Sequence, residues 1–130
     1  MDVALDVAVG PTEFYWRAST IHAYYGLFLE CRHALFGWGL SLPRRDNVHA
    51  WVRLRFTYAA DADLKSIGRT LDDLVRLRND ASYDLTLPPG TFSSKKAQDA
   101  TQHAVNGLAV LDQIVNDPAR RSAAIAALGP

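Results

Sequence analysis

Arg78 stands where the surrounding pattern asks for a hydrophobe. Leu64, Ile67, Leu71, Leu74, Arg78, Ala81 and Leu85 recur at intervals of three and four, the spacing that aligns one buried face of an α-helix. Leu74 and Val75 precede Arg78 by one turn and Ser82 follows it, so its own helix face offers no carboxylate. Arg76 differs: Asp72, Asp73 and Asp80 all lie at helical spacing from it, the pattern of a solvated ion-pair residue. An arginine on an apolar seam needs a carboxylate, a phosphate, backbone carbonyls or solvent, because an unpaired buried charge is costly. Two readings of Arg78 stand. Either it carries its charge out at the helix end, where the helix dipole favours a cation and where Asp84 could neutralise it or Arg76, or it binds an anion. Its neighbours divide in the same way. Asn79 either caps the helix end or assists Arg78. Tyr83 either covers the core or stacks on a base and donates to phosphate.

A second arrangement is a run of charge. Residues 32–55 hold Arg32, Arg44, Arg45, Arg53 and Arg55 against Asp46 alone, with Trp38 and Trp51 interleaved. Arginine beside aromatic rings suits an RNA backbone and exposed bases, which makes Arg44, Arg45, Arg53 and Arg55 candidate RNA contacts. The alternative is a solvated face that pairs with the acidic segment 56–84. His22 and His33 fall within about 20° of one helix face but three turns apart, too far to share a metal ion in one chain. With His49 and His103 they read as surface or satisfied core histidines. No His-x-x-x-His pair, Glu-x-x-His motif, Gly-rich phosphate loop or Ser-His-Asp set is present. Neither a metal nor a cofactor is expected. Cys31 lies in an apolar stretch that favours a buried thiol.

The elements that must position these residues are helices. Pro occurs at 11, 43, 88, 89, 118 and 130, between or beside apolar periodic runs, and no alternating β-branched run competes. A first helix is expected over about 12–38, ended by Gly37 and Gly39, with a second over about 46–59. A third opens on Asp61 as N-cap and reaches about Ser82. LTLPPGTF is a loop, and Ser93 or Ser94 caps a fourth helix that runs to about Asn116. Asp117 and Pro118 read as an N-cap and N1 pair starting a short terminal helix. The expected fold is all-α, an antiparallel four-helix bundle with a core over 12–116 and a short helix or tail over 117–130. On the first helix, Phe14, Ala18, Ile21, Tyr25, Phe28 and Leu35 form one line, while Tyr24, Leu27, Cys31, Ala34 and Trp38 widen it. Such a helix is either central in the bundle or buries a second face against a partner.

Size and composition agree with one domain. The chain has 130 residues, 48% hydrophobic, with 14 basic and 14 acidic side chains that cancel, so no global field draws it to nucleic acid or to an anionic membrane. One cysteine leaves no internal disulfide framework. No apolar run approaches the roughly 20 residues of a membrane span, and the opening MDVALDVAVG lacks a secretory basic region. A cytoplasmic protein is expected. The neutral total conceals unlike segments: −3 over 1–31, +4 over 32–55, −2 over 56–84 and +1 over 85–130.

The run from Arg78 to Asp84, after an apolar helix and before a Pro/Gly loop and a last long helix, resembles the signature region of HEPN domains (higher eukaryotes and prokaryotes nucleotide-binding). Ala18-Ser19, Tyr24-Tyr25, Phe28 and Ala34-Leu35 resemble the aromatic first helix of its small stand-alone members. The resemblance spans roughly residues 14–115. It implies a helical bundle that dimerises. In active members an Arg, a polar residue and a His four to six positions after the Arg meet across the dimer seam as a metal-independent ribonuclease, in toxin–antitoxin and defence systems. Arg78 and Asn79 match the first two elements, but no His follows; Arg78, Ala81 and Tyr83 instead match an Arg-x-x-Ala-x-Tyr subgroup. Metal-free RNA cleavage needs a proton acceptor of pKa near 7, and a tyrosine near 10 is a poor one. The resemblance therefore leaves two expectations. One is an RNA-directed homodimer with Arg78, Asn79 and Tyr83 in a composite site. The other is an inactive module that docks a nucleotidyltransferase-type antitoxin partner or a larger effector.

Overall fold

The protein is all-helical in its described residues, as a computed structural model covering 12–43, 48–83 and 94–130, with the side chains of 12–14, 82 and 83 outside that description. Five helices follow in order: α1 (Thr12–Gly37), α2 (Val48–Thr57), α3 (Ala62–Tyr83), α4 (Ser94–Asn116) and α5 (Pro118–Ala127). Local chemistry sets their ends. Gly39 has φ 92°, a left-handed conformation that costs glycine little. It lets Gly39 N–H reach Phe36 O at 3.0 Å and Leu40 N–H reach Leu35 O at 3.1 Å, the paired bonds of a Schellman stop. Asp61 Oδ1 accepts from Asp63 N at 2.9 Å and Leu64 N at 3.1 Å, capping α3 as its position predicts. Asp117 Oδ1 caps α5 through Ala119 N and Arg120 N, with Pro118 in the first turn.

Helix α1 packs chiefly against α4 and α3, α2 lies on α3, and α5 lies on α4. The first helix is thus central, although its buried line is not the one centred on Tyr25. Tyr24, Leu27, Phe28, Cys31, Ala34 and Leu35 are buried, whereas Tyr25 is 37% exposed. A helix this apolar does not select one face by itself; the fit of its neighbours does. The small residues of α4 make that fit. Ala97, Ala100, Ala104 and Gly107 are buried on one face, and a Cβ on Gly107 would stand 2.9 Å from Leu27 Cδ2. The α3 seam follows the expected pattern: Leu64, Ile67, Leu71 and Leu74 are fully buried and Ala81 nearly so. Each such leucine or isoleucine contributes about 1.5–3 kcal/mol over an exposed one.

The chain end is fastened to α2. Ala60 N–H donates to Ala127 O at 2.8 Å and Gly129 N–H to Arg55 O at 2.9 Å. A Cβ on Gly129 would meet Leu54 O at 2.8 Å, so only glycine fits that approach. Residues 44–47 and 84–93, which hold Arg44, Arg45, Asp46, Asp84 and Leu85, lie outside the described residues.

Candidate functional site

Two helix ends and the middle of α1 meet around one pair of tyrosines. Arg78, in the last two turns of α3, is half-buried between the seam residues Leu74 and Ala81. Its guanidinium carbon lies over the Tyr24 ring at 5.1 Å and near the Tyr25 ring at 6.0 Å, within the range of cation–π attraction. Nη1 donates to Tyr25 Oη at 3.3 Å and Nη2 to Asn79 Oδ1 at 3.0 Å. Its Nε is buried and has no hydrogen-bond partner. Among the described residues no carboxylate pairs with it. Among the described residues the Arg78 charge is thus met at the helix end by rings and an amide rather than by a carboxylate. Asn79 does not cap α3; its oxygen turns to Arg78.

His49 joins the same rings from the first turn of α2. Its Nδ1 lies 2.7 Å from Tyr24 Oη. The imidazole stacks on Phe28 with centroids 4.0 Å apart and planes 12° from parallel. It also stacks on Tyr24 at 5.8 Å and meets Tyr25 edge-on at 5.9 Å. Burial lowers its pKa below the ordinary 6.5, and the charges of Arg78, Arg53 and Arg32 lower it further. His49 is accordingly a neutral imidazole near pH 7. Burial raises the Tyr24 pKa, opposed by Arg78 and Arg53, so Tyr24 stays a phenol.

Arg17 braces this arrangement from the start of α1. It is 8% exposed, and its Nη1 donates to Asp80 O at 3.0 Å and Ala81 O at 2.8 Å. Those carbonyls belong to the last turn of α3, whose C=O groups have no helical partner. The turn that carries Arg78 is thereby tied to α1.

Of the other sequence candidates, Arg53 acts on this cluster through its charge on Tyr24 and His49. Arg53 pairs with Asp72 of α3 at 2.7 Å. Arg55 stacks on Trp51 at 4.7 Å. Arg44 and Arg45 lie outside the described residues, as does the Tyr83 side chain at the end of α3. His22 and His33 are exposed on α1. Sequence reasoning read His49 as a surface or satisfied core histidine and Tyr24 as part of the apolar face of the first helix, and did not single out Arg17. The available signal was the Tyr-Tyr pair, which suits a cation, but nothing in the spacing joins it to His49. A separate open groove of about 870 Å³ runs along α1, α4 and α5, where Glu30, His33, Asp112 and Arg121 line it. Its arginine is engaged, with Nη1 donating to Val115 O at 3.2 Å, and it does not include the Arg78 cluster. Among the described residues no group of three His, Cys, Asp or Glu could hold a metal ion. Comparison with protein-family models, with curated proteins and with solved structures finds no match to this chain.

Proposed function

We propose that this chain is an RNA-directed protein of HEPN type, acting in a toxin–antitoxin or defence setting. In this reading it is a metal-independent ribonuclease whose site is completed at a homodimer cleft. The observation that carries it is Arg78, a half-buried guanidinium with no carboxylate partner among the described residues, held over Tyr24 with Tyr25 exposed beside it. A phosphodiester offers it a negative charge, since a planar guanidinium matches two phosphate oxygens. The neighbouring Tyr25 ring suits a base stacked next to that phosphate. Asn79 holds the guanidinium through its amide oxygen, and Tyr83 follows one turn later on the same helix. The reading carries a cytoplasmic setting with it; no described helix is long and apolar enough to cross a membrane.

Labelled single-stranded RNA incubated in EDTA with the protein and with Arg78→Ala tests it. The wild type is expected to bind and cleave. Arg78→Ala is expected to bind more weakly and to lose about one unit from the slope of log affinity against log salt. Absence of RNA binding at low salt, or an unchanged slope in the variant, rejects the reading.

One observation favours the second reading, an inactive module that docks a nucleotidyltransferase-type partner or a larger effector. Leu29 is 50% and Phe36 67% exposed on the outer side of α1. An apolar patch of that kind serves a protein partner as well as it serves a second copy.

A further inference from the structure

We propose that His49 is the proton acceptor of this site, taking the 2′-hydroxyl proton of an RNA phosphodiester held by Arg78, with Tyr24 as its positioning residue. The proposal rests on the RNA-directed reading above and adds the group that chemistry needs from a different helix. Arg78 and His49 come from α3 and α2, yet they flank the same two rings. The guanidinium is 5.1 Å from the Tyr24 centroid and 6.0 Å from that of Tyr25, and the imidazole is 5.8 Å and 5.9 Å from them. In a reactive geometry the attacking oxygen lies about 3–3.5 Å from phosphorus, so its base must stand beside the phosphate-binding group. His49 does so. His22, His33 and His103 share no ring or hydrogen bond with Arg78 among the described residues.

The proposed step uses the tautomer with its proton on Nδ1. In that tautomer His49 donates to Tyr24 Oη across the observed 2.7 Å and leaves Nε2 with a free lone pair. The tyrosine oxygen then also stabilises the imidazolium that forms, as a third group that orients a base does in nucleophilic sites. Stacking on Phe28 at 4.0 Å fixes the ring plane. The step balances without a metal or an oxidant. Nε2 takes the 2′-hydroxyl proton, the 2′-oxygen bonds to phosphorus, and the bond from phosphorus to the 5′-oxygen breaks. Water protonates the leaving 5′-oxygen. The products are a 2′,3′-cyclic phosphate and a 5′-hydroxyl, and His49 returns its proton to solvent.

The groups facing His49 give the pH dependence its sign. Tyr24, Tyr25 and Arg32 come from α1, Arg53 from its own helix and Arg78 from α3. Asp72 accompanies Arg53. Three arginines and burial oppose protonation, so His49 remains a competent acceptor at pH values where an ordinary histidine is half charged. Below its pKa the imidazolium cannot accept, and cleavage falls.

The test uses the full chain with a fluorescent RNA oligonucleotide in EDTA, measuring binding and cleavage separately from about pH 5 to 8. His49→Asn keeps an N–H donor, its side-chain amide, opposite Tyr24 and removes Nε2. It is expected to bind within about threefold of the wild type and to cleave about 10²–10⁴-fold more slowly. The wild-type kcat/KM is expected to rise with pH along an acid limb whose midpoint lies below the ordinary histidine value, and then to level off. Tyr24→Phe is expected to shift that limb while sparing binding. Cleavage by His49→Asn within about threefold of the wild type, or a wild-type rate flat across the acid limb, overturns the proposal. The wild-type profile needs no variant to fold. RNA binding without cleavage also overturns it and leaves Arg78 as a binding residue, whereas absence of binding removes the underlying reading.

Discussion

Arg17 and Ala81 are joined across 64 residues of sequence: Arg17 Nη1 donates to Ala81 O at 2.8 Å, and the same nitrogen reaches Asp80 O at 3.0 Å. A buried cation thus closes the C-terminal turn of α3 in place of a capping glycine. Hydrogen bonds from a charged donor contribute about 1.5–3 kcal/mol. Arg17→Met, which keeps much of the buried stem, is therefore expected to lower stability by about 2 kcal/mol in denaturant titrations. Amide exchange at residues 79–83 is expected to rise more than in the rest of α3. Unchanged stability and unchanged exchange would show that the turn closes without the arginine.

Asp61 couples the start of α3 to α5. Besides capping α3, its carboxylate accepts from Arg120 Nη2 at 2.8 Å, and Asp63 accepts from the same nitrogen at 3.0 Å. The Arg120 hydrogen bond is the main reason the Asp61 pKa falls below its ordinary value, with bonds from the backbone N–H of Leu64 and Asp63 adding to it. A carboxyl lowered in the folded state contributes stability above its unfolded pKa and loses it as pH falls through the folded value. Asp61→Asn keeps a capping oxygen and loses the charge. Its deficit against the wild type is expected to be full at pH 7 and to vanish as pH drops from about 4 downward. A deficit that is constant with pH would mean that the cap, not the ion pair, carries the effect.

What could be read from the sequence, and what could not, divides by range. The α3 seam and both aspartate caps depend on residues a turn apart, and there spacing and burial coincide. The charge of Arg78 on that seam was legible for the same reason. Tyr24 and Tyr25 mark the limit. They are adjacent and chemically identical, yet one is 1% and the other 37% exposed, because α3 and α4 decide which side of α1 is covered. His49 lies farther beyond it. Its bond to Tyr24 spans 25 residues and depends on how the chain returns after Gly39. The pairing of Arg53 with Asp72 and the stacking of Arg55 on Trp51 arise in folded helices too; a count of charges along the chain does not reveal which cations are already engaged.

Two helical glycines are expected to respond oppositely to alanine. A Cβ on Gly68 of α3 would lie 2.6 Å from Thr57 N and 2.7 Å from Thr57 Cα, so the approach of α2 to α3 has no room for it. Gly68→Ala is expected to destabilise by about 1–3 kcal/mol despite its better helix propensity. Gly26 of α1 has nothing within 4 Å of the same position, and Gly26→Ala is expected to stabilise by about 0.5–1 kcal/mol. Thermal unfolding of the two variants side by side measures both. Equal shifts of one sign would contradict the close approach.

Cys31 supplies a reporter of global opening. It is fully buried in the core cluster that joins α1 to α3 and α4, and burial raises its pKa well above the usual thiol range. The thiolate is the reactive form, so the folded protein is expected to resist a disulfide reagent near pH 8 and to react in denaturant. Rapid labelling of the native chain would show that α1 separates readily from α3 and α4.

The proposed homodimer makes a demand on the outer side of α1. Leu29 and Phe36 are seven residues apart, two turns on one face, and with Leu42 they line one shallow depression. Exposed to 50% and 67%, the two side chains present apolar surface for a partner to cover. Phe36 shares no ring contact or hydrogen bond with Arg78, Tyr24 or His49 among the described residues, and Phe36→Glu places charge on this face. Light scattering at about ten micromolar chain is expected to give a dimer for the wild type and a monomer for the variant, since dimer population follows protomer concentration. If the site is composite, RNA cleavage by Phe36→Glu falls with the dimer, and dilution of the wild type lowers its specific activity in the same way. A wild type that remains monomeric while cleaving RNA would show that Arg78, Tyr24 and His49 suffice within one chain.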